Sequence, residues 1–486
     1  MLRRHTCLFA PAAAWLLLVG IDAGCSAPPA VLDSGMAVDS GTDAPVNDAR
    51  GAADAGGSDA ALPRVVSISA GSRHTCALVS SGTVRCWGQN PYGELGYGHT
   101  STIGDDETVA SAGDVRVGGA VEQVVAGGHH TCASLAGGVV RCWGAGSSGQ
   151  LGYGDVETIG DDEDPETAGD VDVGGVVTQV VVGGGHTCAL LEGGTVRCWG
   201  DGYWGQLGYG NCVPASFGDP LGDPACNIGD DETPASAGDV SVGGTVVRLA
   251  AGNAHTCALL ETGAVRCWGM GRRGVLGRGD CIPIPKGPES QCNLGDDETP
   301  ASVGDIDIGA EVIAIAAGGD HTCVLTAGGT VRCWGDGCGG ALGYGDAFGN
   351  DGLGCPNTIG DDETPAAAGD VDVGELAVGL AAGIFHTCAI LPAGKLRCWG
   401  SASRGQLGYG NTVDVGDDEV PADVGDVDVG EGVTAVTGGF QHTCALLETG
   451  AVRCWGRGDL GALGYGNQND IGDDEPPASS GEVPIF

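Results

Sequence analysis

His186–Gly210 reads HTCALLEGGTVRCWGDGYWGQLGYG, and its reading decides the fold. Two β-prone runs, HTCALL and TVRCWG, flank Glu192-Gly193-Gly194. A Gly-containing loop of this length closes a hairpin through a type I turn and bulge, with Gly194 at the left-handed position. Centring the loop on Gly193 pairs residues whose numbers sum to 386, so Cys188 faces Cys198. Directly opposed strand residues hold their β-carbons about 4.5–5.5 Å apart, which a disulfide spans after slight adjustment.

Outward from there, the stretch recurs seven times, with His-Thr-Cys starting at His74, His130, His186, His255, His321, His386 and His442. The spacings are 56, 56, 69, 66, 65 and 56 residues, a period of 56 with insertions in three copies. Such a period marks a propeller, solenoid or array. The turn glycine recurs as Gly82, Gly138, Gly263, Gly329, Gly394 and Gly450. The cysteine spacing recurs with it and predicts intra-hairpin disulfides Cys76–Cys86, Cys132–Cys142, Cys188–Cys198, Cys257–Cys267, Cys323–Cys333, Cys388–Cys398 and Cys444–Cys454.

Each hairpin follows a short apolar run such as Val181-Val182 and precedes a GQLGYG-like turn, a Gly-Asp-Asp-Glu loop and a GDVDV segment. Asp170-Val171-Asp172-Val173 alternates at period 2, as a strand with one wet face does. Four short strands per unit, repeated radially, predict an all-β, seven-bladed β-propeller of four-stranded blades over residues 64–486. The first unit opens at Arg64-Val65-Val66 with no GDVDV before it, and the last residues, 481–486, align with that segment. The C-terminal strand is therefore expected to complete the first blade and close the ring, Pro484 suiting an edge.

With HTCALL, G-x-VRCWG and GQLGYG in hand, the chain resembles the regulator of chromosome condensation repeat family over all of 64–486. The resemblance implies a seven-bladed propeller that acts mostly through protein contacts. The paired cysteines and the Asp-Asp-Glu loop are additions to the family pattern. The family's nuclear partners, and a nucleotide-exchange role with them, do not fit a chain that opens with an export signal.

That signal is Met1-Leu2-Arg3-Arg4 followed by the apolar Ala12–Ile21, a signal peptide over 1–24. Asp22-Ala23-Gly24-Cys25 then resembles a bacterial lipobox. Of 22 cysteines, 14 lie in the hairpins, and six pair within the inserts as Cys212/Cys226, Cys281/Cys292 and Cys338/Cys355. Cys7 leaves with the signal peptide, so Cys25 is the odd thiol, and lipidation there accounts for it. Residues 25–63 are mostly Ala, Asp, Gly, Ser and Pro with few large apolar side chains, cannot bury a core, and read as a disordered linker. The expected location is the cell envelope, as an outer-membrane lipoprotein, with simple secretion as the alternative. A net charge of −43 argues against nucleic acid and against any membrane contact beyond a lipid anchor. Abundant cysteine points to an oxidising compartment. The expected state is a monomer.

Among candidate chemistries, His-Thr-Cys repeated on strands suggests metal ligands, but a paired Cys and one His leave no tetrahedral set in a blade. Structural hydrogen bonding is the better account. Gly-x-Gly-x-x-Gly at 144–149, 200–205, 269–274, 335–340 and 456–461 imitates a dinucleotide fingerprint without the helix it needs. No cofactor is expected. The acidic triplets are the candidate metal ligands, with calcium the candidate ion: Asp105-Asp106-Glu107, Asp161-Asp162-Glu163, Asp230-Asp231-Glu232 and their counterparts at 296–298, 361–363, 417–419 and 473–475. Their structural reading is plain solvation, or bidentate pairing with the arginine that precedes Cys-Trp-Gly in every copy (Arg85, Arg141, Arg197, Arg266, Arg332, Arg397 and Arg453).

The repeated Trp of Trp-Gly reads as packing between blades. Tyr203 and Trp204 break the repeat beside the first insert and read as partner-binding anchors, or as a rim covering that insert. The inserts, Asn211–Asn227, Asp280–Asn293 and Cys338–Asn357, fall in consecutive blades at one position of the repeat and should cluster on one face. No Gly-x-Ser-x-Gly elbow, His-Glu-x-x-His or lone reactive cysteine is present. The reading is a non-enzymatic scaffold that recognises a protein or glycan through that face. The alternative is a polysaccharide hydrolase or lyase using carboxylates at the ring's centre.

Overall fold

The computed structural model describes residues 62–212, 226–280, 292–345 and 358–486. The signal peptide, Cys25, the linker up to residue 61, Cys281 and Cys355 lie outside the described residues. Seven three-stranded antiparallel sheets are arranged as blades about one axis. Inner strands are Val65–Ala70, Val121–Ala126, Val177–Val182, Val246–Ala251, Val312–Ala317, Gly379–Ala382 and Val433–Gly438. Middle strands begin at the seven histidines, and third strands end at the glycine of Trp-Gly. The middle strand HTCALL is buried along its whole length in every blade, which is why both of its faces are apolar or internally bonded.

The hairpin register is the expected one. Cys188 faces Cys198, Gly194 has φ +84°, and all seven hairpin disulfides are closed with Cα–Cα separations of 4.0–4.1 Å. Cys212–Cys226 is closed as well, and Cys292 and Cys338 are both disulfide-bonded.

The four-stranded blade needs correction. GDVDV is an extended segment tied to the third strand by a single backbone bond, for example Val115 N to Val84 O at 2.8 Å. In four blades the next N–H turns back on the segment itself, as Val117 N donates to Val115 O at 3.0 Å, and a three-residue turn cannot continue a ladder. The closing strand needs correction too. Val483 N donates to Val452 O at 2.8 Å, so 481–486 belongs to the seventh blade and does not complete the first.

Closure instead repeats the joint used everywhere else. At the mouth of the axial channel, Ser72 N donates to Gly127 O, Gly128 N to Gly183 O, Gly184 N to Asn253 O, and so on until Phe440 N reaches Ser72 O at 3.0 Å. Outside this backbone belt runs a second one of side chains. Each histidine Nε2 meets the threonine of the next blade at 2.8–3.0 Å, from His74–Thr131 round to His442–Thr75. Thr131 Oγ1 donates its one proton to Glu94 O at 2.8 Å, so its lone pair accepts from His74 Nε2–H, which fixes the tautomer. Burial then drives all seven histidine pKa values down, to about 3 or 4.

The seven tryptophans of Trp-Gly are fully buried between blades. Trp143 Nε1 donates to Glu94 O of the preceding blade at 2.9 Å. Gly96, at φ +76°, lies so close that a Cβ there would sit 2.8 Å from that nitrogen, which explains the Leu-Gly of every turn. One feature is new relative to the sequence reading: a single helical turn after each acidic loop, Val109–Ala112 and Pro234–Ala237 among them. In six of the seven it opens with Pro, the first-turn position where a missing N–H costs nothing.

Candidate docking face

One end of the strands carries the Gly-rich turns, the acidic loops and the root of the first insert. The residue after Trp-Gly bonds back to the residue before His in each blade, as Gln89 N to Arg73 O, Asp201 N to Gly185 O and Ser401 N to Phe385 O, all at 2.9 Å. This fixes the GxGxx turn beside the channel mouth. The acidic loop is fixed at the same end by the reciprocal bonds Gly88 N to Ile103 O and Ile103 N to Gly88 O. It also rests on the preceding blade, where Gly98 N donates to Gly160 O at 3.1 Å. The root of the first insert belongs here too, with Cys212 N bonded to Asp296 O of the next blade at 2.7 Å. The other end carries the hairpin turns and the Gly-rich links into the next inner strands, as where Val121 N donates to Gly82 O at 2.9 Å.

The repeat demands one tryptophan per blade and a tyrosine in most turns; Tyr97 Oη, for example, bridges Cys86 and Gly113 carbonyls. Beyond these and the terminal Phe486, the described residues include five out-of-pattern aromatics: Tyr92, Tyr203, Trp204, Phe385 and Phe440. All five stand at this end. Tyr203 is 6% exposed and packs edge-on against Trp204, with ring centroids 4.7 Å apart. The contact surface of that pair is therefore Trp204, which is half-buried.

The acidic triplets are not paired with the repeated arginines. Six of those arginines donate Nε to the first Asp of their own GDVDV segment at 2.6–2.9 Å, as Arg85 to Asp114, and Nη1 to a backbone carbonyl of the preceding blade, as Arg141 to Val117. They are rivets between blades, single-bonded to carboxylate and not bidentate. Arg453 keeps the carbonyl bond to Val429, but its Nε has no partner, because Glu482 stands where the other blades have Asp.

Each triplet offers three carboxylate oxygens within 4.8 Å of one another. Calcium takes six to eight oxygens, so a triplet supplies about half a coordination sphere. Burial first, then the neighbouring Asp side chain, raises the Glu pKa to about 7 in Glu232, Glu419 and Glu475 and to about 8 in Glu298 and Glu363. A proton shared between Glu and Asp thus relieves the charge near neutrality. His-Thr-Cys is not a ligand set: the histidine Nε2 and the cysteine sulfur are both committed.

The axial channel encloses about 170 Å³ and is lined by Ala, Gly and other uncharged residues, among them Ala70, Gly71, Asn253, Ile384 and Thr437. No carboxylate of the described residues lines it.

A closed ring of seven repeat-built blades with one variable face is the class of protein these features define. The chain matches the RCC1-like domain over residues 140–484 and the regulator of chromosome condensation repeat over 65–94 and 121–150. It belongs to the RCC1-like family. It is 30% identical over 348 residues to the ultraviolet-B receptor UVR8 of Arabidopsis thaliana, covering 71% of this chain and 67% of that one. It is 31% identical over 401 residues to the E3 ubiquitin-protein ligase HERC2 of Homo sapiens, covering 82% of this chain and 7% of the ligase. Among solved structures, yeast RCC1 (Prp20) bound to Kap60 aligns with TM-score 0.58 and 22% identity over 78% of each chain. Human WBSCR16 aligns with TM-score 0.59 and 18% identity over 85% of this chain and 94% of that one.

Proposed function

We propose that this chain is a non-enzymatic, exported scaffold that recognises a partner protein through the end of the ring carrying the turns, acidic loops and insert roots. The observation that carries this reading is the placement of the out-of-pattern aromatics. A propeller needs none of the five for packing between blades, yet all of them stand on one face, and aromatic residues are enriched in the cores of protein interfaces. A relative solved in complex with Kap60 is consistent with action through protein contacts. The closed hairpin disulfides support an oxidising compartment, and with it export, and the odd cysteine after Asp22-Ala23-Gly24 supports lipid anchoring at Cys25.

A photo-crosslinking amino acid placed at position 204, compared with one at Thr449 on the opposite end, tests the reading in producing cells. Protein adducts are expected from position 204 and not from 449. Equal adducts from both, or none from 204, would sink it. Mass spectrometry of the mature N-terminus tests the anchor, with a lipidated Cys25 as the expected first residue.

A further inference from the structure

We propose that Phe385, Phe440 and Arg73, at the channel mouth on blades six, seven and one, form a docking point for a partner polypeptide segment in which a carboxylate stands beside an apolar side chain. The proposal rests on the protein-binding reading of this face and assigns it a site on the three blades that follow the insert-bearing ones.

Phe385 and Phe440 occupy the two positions before the histidine in adjacent blades, where the other blades carry mostly small or polar residues. Their rings meet edge-to-face at 5.3 Å, and Phe385 is 42% exposed. Arg73 lies on the next blade with its guanidinium 5.6 Å from the Phe440 ring centroid, and its Nη1 donates to Gln89 Oε1 at 3.4 Å.

The charges around it decide what the site accepts. The other arginines at this end are ion-paired: Arg272 with Asp320, Arg273 with Asp336, Arg404 with Asp470 and Arg457 with Asp459. Asp459, the acid whose charge Arg73 feels, is held by Arg457 at 2.6 and 2.9 Å. Arg73 therefore has no ion pair among the described residues, in a chain of net charge −43. A guanidinium pre-oriented on an aromatic face keeps most of its donor fork for an incoming carboxylate. The two phenylalanines beside it accept an apolar side chain. They carry no hydroxyl or indole N–H, the polar handle by which Tyr and Trp serve half-wet surfaces, so a peptide fits better than a sugar.

Panning a random-peptide phage library on the full, oxidised chain tests this, followed by calorimetry with the synthesised winners. Enriched peptides are expected to carry Asp or Glu next to Phe, Leu, Ile or Met. Arg73→Gln and Phe385→Ala, both at part-exposed positions, should keep the melting temperature and each weaken the peptide about tenfold or more. Arg73→Lys should bind between wild type and Arg73→Gln. Winners without acidic residues, or affinities unmoved by Arg73→Gln, would overturn the proposal. So would hexuronate oligosaccharides bound in an array with no peptide enriched. In each of these cases the position-204 cross-links still decide the broader protein-binding reading independently.

Discussion

His442 in the last blade and Thr75 in the first meet at 3.0 Å, in the same hydrogen bond that joins His74 to Thr131 and every other neighbouring pair. The seam between the chain's two ends is thus chemically the same as the six covalently continuous joints. Thr75→Val and Thr131→Val should therefore cost the same, about 1–3 kcal/mol each, because each leaves a buried imidazole N–H without an acceptor. Denaturant unfolding checks this. A markedly smaller loss for Thr75→Val would mean that the seam is weaker than the other joints.

The histidine belt sets an acid limit. Folded histidines sit at about 3 or 4 against an ordinary 6.5, so the unfolded chain takes up protons that the folded chain refuses. Their contribution is fully present above pH 6.5 and is lost as pH falls through 4 to 3. The buried Nδ1 atoms of His130, His186, His255 and His386 have no partner to receive a new proton's bond. Melting temperature should fall steeply over that window, and replacing a single His–Thr pair by Leu–Val should make the fall shallower.

The acidic triplets act in the opposite direction. With Glu298 and Glu363 held near 8, the folded state keeps protons that the unfolded state releases above about 4.5. This contribution is complete below pH 4.5 and is lost as pH rises through 7 to 8. Glu298→Gln should flatten the alkaline limb of the stability profile, and EDTA should leave that limb unchanged. A melting temperature raised by millimolar calcium at pH 8 would show a cation doing the proton's work.

Glu482→Asp should stabilise the protein, an unusual outcome for a single substitution. The shorter acid puts a carboxylate where Asp114 and its counterparts receive the arginine Nε, giving Arg453 the bond it lacks. Because the equivalent aspartates are 36–51% exposed, the expected gain is only about 0.5 kcal/mol. Thermal melts against wild type check it.

Gly96→Ala tests the packing of the turns. The new methyl would meet Trp143 Nε1 at 2.8 Å in a backbone with φ +76°, so two penalties add. A loss of about 2–4 kcal/mol is expected, whereas Gly113→Ala, at φ +77° with nothing near, should cost only the backbone part.

Much of the architecture was legible because the repeat reports it seven times. Gly194 set the register, the register paired Cys188 with Cys198, and the count of histidines gave the blades. The DVDV alternation misled, since it looks like strand pairing while its first Asp serves an arginine side chain and its backbone makes only one bond to the third strand. The single-turn helices are too short for any periodicity to show. For the histidine belt the signal was present, an adjacent His and Thr in every copy, but only packing of neighbouring blades brings the Thr of one blade to the His of the one before. The docking face was half visible: Trp204 stood out beside an insert, whereas Phe385, Phe440 and Arg73 are far apart in sequence and meet only across blade boundaries.

The backbone bonds at the channel mouth all run in one rotational sense, each blade's N–H pointing to the carbonyl of its successor until Phe440 returns to Ser72. A linear stack of repeats has two terminal units that fray independently of the middle. Here the array has no terminal unit, so partial opening must break two seams at once before any blade is released. Amide exchange in the seven inner strands should accordingly proceed at one common rate, and a protease should find the wheel either whole or gone.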